Sequence, residues 1–201
     1  MKIYLIRHGQ TNWNVENRLQ GDKDIPLNDF GRSKTREVAK ELVNKGIETV
    51  ITSSLQRACE TGKIIGEIIG AKKYLEDKRI IERACGTATG EICTEKEEVF
   101  LQKGFEKVEP IEVVEHRMEE AIKEYAKQYK NDTILMVSHG TAIGIWKKLI
   151  FKCWDIDFNE ETGEYTIKGK KQDTHESKEC YDSQVPNNSQ FFVINIGEEY
   201  K

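Results

Sequence analysis

The 201-residue sequence predicts an α/β fold in three layers, a mostly parallel central sheet between two layers of helices. Three observations carry that expectation. Short apolar runs rich in strand formers recur along the chain. Between them lie segments whose apolar residues repeat at helical spacing, and helical crossovers are how parallel strands are joined. Hydrophobic residues make up 37% and charged residues 33%, so the chain is polar yet has enough periodic apolar content to fold. At this length one domain over residues 1–201 is expected.

Taken in order, Ile3 to Ile6 form the first strand-like run. A long loop follows, then a helix from about Gly31 to Lys45 that places Val38, Leu42 and Val43 on one face. Thr49 to Thr52 reads as a second strand, leading into Ser53 and Ser54, hydroxyl residues suited to cap the next helix. That helix carries Ile64, Ile65, Ile68 and Ile69, a stripe expected in the core. The alternation repeats around residues 72–81. Residues from about 84 to 110 are polar and weakly periodic, which predicts a lid-like insertion. Glu112 to Lys130 reads as an amphipathic helix, and Thr133 to Ser138 as a buried strand running into His139, Gly140 and another helix. Residues from about 155 to 185 are hydrophilic and predict an excursion or hairpin. Gln190 to Ile196 is the last strand, and there is no internal repeat.

Composition excludes several function classes. The net charge is -4 with lysine and arginine spread along the chain, so no basic block is available to follow a nucleic-acid backbone. Cys59, Cys85, Cys93, Cys153 and Cys180 include no CxxC pair and read as free thiols in a reducing compartment. The apolar run before Arg7 is too short for a signal peptide, and no later stretch is long enough to span a bilayer. A cytoplasmic protein without a membrane or nucleic-acid partner is expected, with a homodimer left open.

Ligands of parallel α/β sheets sit beyond the carboxyl ends of the strands. Three predicted strands end in reactive residues: Arg7-His8-Gly9, Ser53 through Arg57, and Ser138-His139-Gly140. Two arginines and two histidines therefore gather at one sheet edge. Arginine forks match phosphate oxygens and stay charged, so Arg7 and Arg57 suit a phosphoryl group. The same cations disfavour an imidazolium and keep His8 neutral, the form in which its nitrogen is a nucleophile. His139 could donate a hydrogen bond to the transferring group, with Gly9 and Gly140 allowing close backbone approach. A lone histidine at a strand end is ordinarily structural; Arg7 and Gly9 on either side of His8 reverse that reading. His116 and His175 lie in polar surroundings away from these motifs and read as bystanders. The four histidines lack metal-ligand spacing, and arginines are poor neighbours for a cation, so no metal and no cofactor are expected.

The ordered motifs resemble the histidine phosphatase superfamily. Arg7, His8, Gly9, Thr11 and Asn14 match RHGxTxxN; Ser53, Ser54, Leu55, Arg57, Ala58 and Thr61 match SSLxRAxxT; Glu82 precedes Gly86 by four; Ser138-His139-Gly140 follows. Leu19-Gln20-Gly21, Pro26-Leu27, Gly31 and Asn188-Ser189 also resemble that family, and the likeness covers about residues 1–90, 112–150 and 186–196. It implies a phosphoglycerate mutase-like fold and a phosphohistidine formed on His8. It further implies a phosphate surrounded by Arg7, Asn14, Arg57 and His139, and Glu82 as the acid that protonates the leaving group. The small neutral residues after Arg83, and Thr141 to Gly144 after His139, favour hydrolysis of a small phosphorylated metabolite over mutase-type transfer. Phosphoglycerate mutase-type transfer and an inactive phosphate-ester binding protein are the rival readings. Cys85 lies near the proposed acid and reads as a small buried apolar side chain rather than a substrate contact.

Overall fold

In the computed structural model, residues 1–93, 101, 104–171 and 187–200 are described. Seven strands form one sheet in the order β3-β2-β4-β1-β7-β6-β5: β1 (Lys2–Arg7), β2 (Ile47–Thr52), β3 (Lys73–Glu76), β4 (Thr133–Ser138), β5 (Trp154–Asn159), β6 (Glu164–Lys170) and β7 (Phe191–Ile196). The pairs β1–β4, β2–β4, β2–β3 and β6–β7 are parallel, while β1–β7 and β5–β6 are antiparallel. The described helices are α1 (Asn12–Val15), α2 (Asp29–Glu41), α3 (Gln56–Ile69), α4 (Ile111–Gln128) and α5 (Gly140–Cys153).

The two-residue period of the central strands divides their side chains between two cores. Ile3, Leu5, Ile134 and Met136 pack with Val114, Met118 and Ile122 of α4 and with Ile143, Trp146 and Ile150 of α5. Tyr4, Ile6, Leu135 and Val137 face the other way, onto Ala39, Leu42, Ala58 and Ile65 beside and on α2 and α3. Because β1 and β4 are covered on both faces, they read as continuous apolar runs. The three expected layers are present.

The chain leaves β1 toward the α2 face and leaves β4 toward the α5 face, although the two strands are parallel neighbours. Their following loops therefore part and open a crevice at the carboxyl ends. His8 and His139 are the first residues beyond those two ends.

Several elements differ from the sequence expectation for local reasons. Helix α2 starts at Asp29 because the Asn28 side chain accepts from the Gly31 N–H at 2.7 Å. Gly31 itself packs on the backbone of Gln10, where a Cβ would collide. Ser53 and Ser54 do not cap α3; Leu55 holds the N-cap position without a side-chain bond, and Asp24 Oδ1 accepts from the Gln56 N–H at 2.6 Å. In the isoleucine stripe, Ile64 and Ile65 are buried but Ile68 is 39% exposed. The third alternation is short: an exposed β3, then one 3-10 turn at Lys78–Ile80. The hydrophilic stretch opens with the β5–β6 hairpin, and its residues 172–186 lie outside the described residues, as do His175 and Cys180.

The lid-like stretch is described over residues 84–93, 101 and 104–110. Its first part is pinned to the loop after α1: Leu19 N–H donates to Glu91 O at 3.0 Å, Gly90 N–H to Leu19 O at 2.8 Å, and Cys93 N–H to Asn17 O at 2.8 Å. Leu19, Cys85, Ala88 and Leu101 bury one another there in a third, small cluster. Cys85 is 2% exposed, in keeping with its reading as an apolar packing residue.

Candidate active site

The sequence RHG places His8 one residue beyond β1, where β4 on one side and the approach to β7 on the other hold its backbone. The His8 N–H donates to Ser138 O at 3.0 Å, and Asn188 Nδ2 donates to His8 O at 3.0 Å. Gly9 packs where a Cβ would lie 2.8 Å from Thr35 Oγ1, so only glycine lets the loop turn against α2. The Gly9 N–H donates to Thr61 Oγ1 at 2.9 Å, and that hydroxyl donates to Arg57 O at 2.7 Å, joining the first motif to the second.

The His8 ring is 2% exposed and its tautomer follows from its partners. Arg57 Nε lies 3.2 Å from His8 Nε2, and a guanidinium only donates. Nε2 is thus the unprotonated nitrogen, and Nδ1–H donates to Gly9 O at 2.7 Å. Burial first, then the charges of Arg57 and Arg7, hold this imidazole well below the usual histidine range, outweighing the Gly9 bond that favours the cation. A buried neutral ring with its lone pair toward the crevice results.

Arg57 is fully buried and aimed by loop carbonyls: Nη1 donates to Lys23 O at 2.7 Å and Nη2 to Gly21 O at 2.8 Å. Burial pulls its guanidinium down to about 10, opposed by Glu82 and Asp24, so it remains a cation at neutral pH. Arg7 is half-buried, and its charge bears on both histidines.

His139 stands at the N-cap of α5, its ring centroid 5.1 Å from that of His8. Its Nε2 lies 2.7 Å from Ser53 Oγ, which also accepts from the Leu55 N–H at 3.2 Å. The ring is fully buried, and among the described residues Nδ1 has no hydrogen-bond partner. Burial, followed by Arg57, His8 and Arg7, keeps His139 well below the usual range as well.

Glu82 reaches the same crevice from the segment after β3. Its Oε1 accepts from the Ala142 N–H at 2.9 Å and the Arg83 N–H at 3.0 Å, and its Oε2 from the Thr141 N–H at 3.2 Å. Two of these donors are first-turn amides of α5, which have no partner within the helix. Arg83 turns elsewhere, donating from Nε to Glu109 O at 2.7 Å. Asn14 is tied into the loop: its Oδ1 accepts from the Thr11 N–H at 3.0 Å, while its own N–H donates to Thr11 Oγ1 at 3.1 Å. His116 is exposed on α4, away from the crevice, as the sequence indicated.

The structure therefore brings Arg7, His8, Arg57, Glu82 and His139 to one crevice, with Asn14 in the adjoining loop. Sequence reasoning assigned Ser53 to a helix cap, whereas it is the partner of His139. It also passed over Arg117 of α4 and Glu109 just ahead of that helix, which lie against the Glu82 segment; nothing in their local sequence distinguishes them from ordinary surface charges. With two cations, a lone pair and a buried imidazole facing one space, the arrangement can hold a tetrahedral anion and attack it.

Known proteins agree with that chemistry. A profile of the histidine phosphatase superfamily (branch 1) matches residues 3–159. An uncharacterized phosphatase, PhoE, of Bacillus subtilis (strain 168) is 31% identical over 141 residues, covering 70% of this chain and 72% of that protein. The probable phosphoglycerate mutase GpmB of Serratia proteamaculans (strain 568) is 32% identical over 155 residues, 72% of each chain. Among solved structures, phosphoserine phosphatase from Entamoeba histolytica in complex with 3-phosphoglyceric acid superposes with a TM-score of 0.62 at 27% identity, covering 74% of this chain and 78% of that one.

Proposed function

The chain belongs to the histidine phosphatase superfamily, and from that premise we propose that it is a phosphomonoester hydrolase working through a phosphohistidine on His8. The observation that carries the reading is the buried, neutral His8 whose Nε2 lone pair is met by the Arg57 guanidinium. In the first step Nε2 attacks phosphorus and the bond to the leaving alkoxide breaks. Arg57 turns from Nε2 to the phosphoryl oxygens and, with Arg7, offsets their charge. The Nδ1–H bond to Gly9 O orients the ring and steadies the positive charge that develops on it. His139 donates to a phosphoryl oxygen from Nδ1, the nitrogen with no other partner among the described residues. Asn14 adds a contact from its amide nitrogen.

Glu82 is the acid in this reading. It gives a proton to the departing oxygen and takes one from the water that then attacks phosphohistidine, so the enzyme returns to its starting state. Support for a small phosphorylated metabolite as substrate comes from the Entamoeba histolytica relative, whose complex holds 3-phosphoglyceric acid. We place the enzyme in the cytoplasm, where a reducing compartment suits free thiols such as Cys59, Cys85, Cys93 and Cys153. No helix of the described chain is long and apolar enough to cross a membrane. Residues 1–201 act as one domain in this proposal.

The test is labelled phosphate trapped on protein in a quench that spares phosphohistidine. Label on the wild type and none on His8→Ala is expected; an unlabelled wild type, or full labelling of His8→Ala, removes the covalent mechanism. Mutase-type transfer is the second reading, favoured by the likeness to the Serratia proteamaculans protein. Product analysis separates the two, because hydrolysis releases inorganic phosphate whereas a mutase returns a positional isomer of phosphoglycerate.

A further inference from the structure

Glu82 follows a single 3-10 turn and lies in no helix or strand, so the carbonyls around it need partners from elsewhere. One side chain supplies most of them. Arg117 on α4 donates from Nη1 to Arg79 O at 2.7 Å and Ile81 O at 2.8 Å, and from Nη2 to Glu82 O at 3.2 Å. The same guanidinium pairs with Glu109, Nε to Oε1 at 2.9 Å and Nη2 to Oε2 at 3.0 Å. Glu109 Oε2 in turn accepts from the Ala84 N–H at 3.1 Å. The backbone is thus held on both sides of Glu82 by one ion pair, whose side chains are only 13% and 17% exposed. On the opposite flank, Ser138 Oγ donates to Ile80 O at 2.8 Å, tying the segment to the residue before His139.

We infer that Arg117 is a positioning residue that sets Glu82 against the leaving-group oxygen by clamping its backbone, an inference that rests on the acid role proposed above. The hydrogen bonds from Arg117 reach carbonyls of the Glu82 segment and the Glu109 carboxylate, so its effect passes through the peptide chain. Arginine is required because one rigid fork must serve three carbonyls and a carboxylate together. A lysine ammonium offers three donors from a single point and cannot span them.

The experiment compares R117K, R117M, E82Q and the double variant R117M/E82Q on glycerol phosphate, a poor leaving group, and p-nitrophenyl phosphate, a good one. R117M is expected to lose about 10- to 100-fold in kcat on glycerol phosphate, with KM unchanged and p-nitrophenyl phosphate turnover within about threefold. The charge of Arg117 also bears weakly on His139, and R117K keeps that charge while losing the fork, so it should show the same selectivity in milder form and carries the comparison if R117M does not fold. The double variant should be no slower than E82Q on glycerol phosphate. Equal losses on both substrates in the Arg117 variants, beside a selective E82Q, overturn the positioning role alone. Equal losses in E82Q remove the acid role of Glu82 and the inference with it.

Discussion

Lowering the pH should destabilise this protein through its two buried histidines, because burial disfavours their charged forms. His8 and His139 are held well below the usual histidine value, chiefly by burial and then by the neighbouring arginines. Above about pH 6.5 the rings are neutral in both folded and unfolded chains, so neither contributes a pH dependence. Below that value the unfolded chain takes up protons that the native rings refuse, and stability is lost as the pH falls toward the depressed native values. While the native rings stay neutral, each pH unit below that value costs on the order of 1 kcal/mol per ring. Urea unfolding between pH 7.5 and 5.5, in buffers free of phosphate and sulfate, measures it. His8→Asn and His139→Asn should each lose about half of the wild-type slope over this range. A wild-type slope no steeper than that of either variant would mean that the native rings accept protons, and the argument for a neutral nucleophile would fall.

Three further outcomes are expected. Arg57→Lys should lower kcat about 100-fold or more on either leaving group, because a point charge cannot reproduce a guanidinium anchored to Gly21 O and Lys23 O; steady-state turnover checks it. Ser53→Ala leaves the buried His139 Nε2 without its partner and should lower kcat about tenfold and cost about 1–3 kcal/mol of stability, read by kinetics beside thermal unfolding. Gly31→Ala drives a methyl group into the Gln10 backbone and should destabilise the protein by about 1–3 kcal/mol, measured by urea unfolding.

The core of the site was legible because β1, β2 and β4 are apolar runs that end abruptly in reactive residues, and parallel strands put those ends side by side. Arg7, His8, Arg57 and His139 could be grouped on that ground alone. Ser53 was misjudged because a serine ahead of a helix is a local capping signal, while its bond to His139 spans 86 residues that no local pattern encodes. Arg117 and Glu109 were passed over for the same reason: a charged residue on an amphipathic helix, or in the polar stretch before it, looks solvated until the segment packed on it is known. Strands β5 and β6 were legible only as an excursion or hairpin. They are the last two strands at one side of the sheet, with mostly exposed or part-exposed side chains, so they lack the apolar run that marks β1 and β4.

The loop that carries His8 is closed by a residue 180 positions further on, since Asn188 Nδ2 bonds His8 O, and β7 then runs antiparallel beside β1. The carboxyl end of β1 therefore waits for β7, far along the chain, before it is fixed. A chain synthesised only as far as α5 carries His8 but not the brace behind it. In refolding, catalytic activity should return with the docking of β7, after the helices and the parallel half of the sheet have formed.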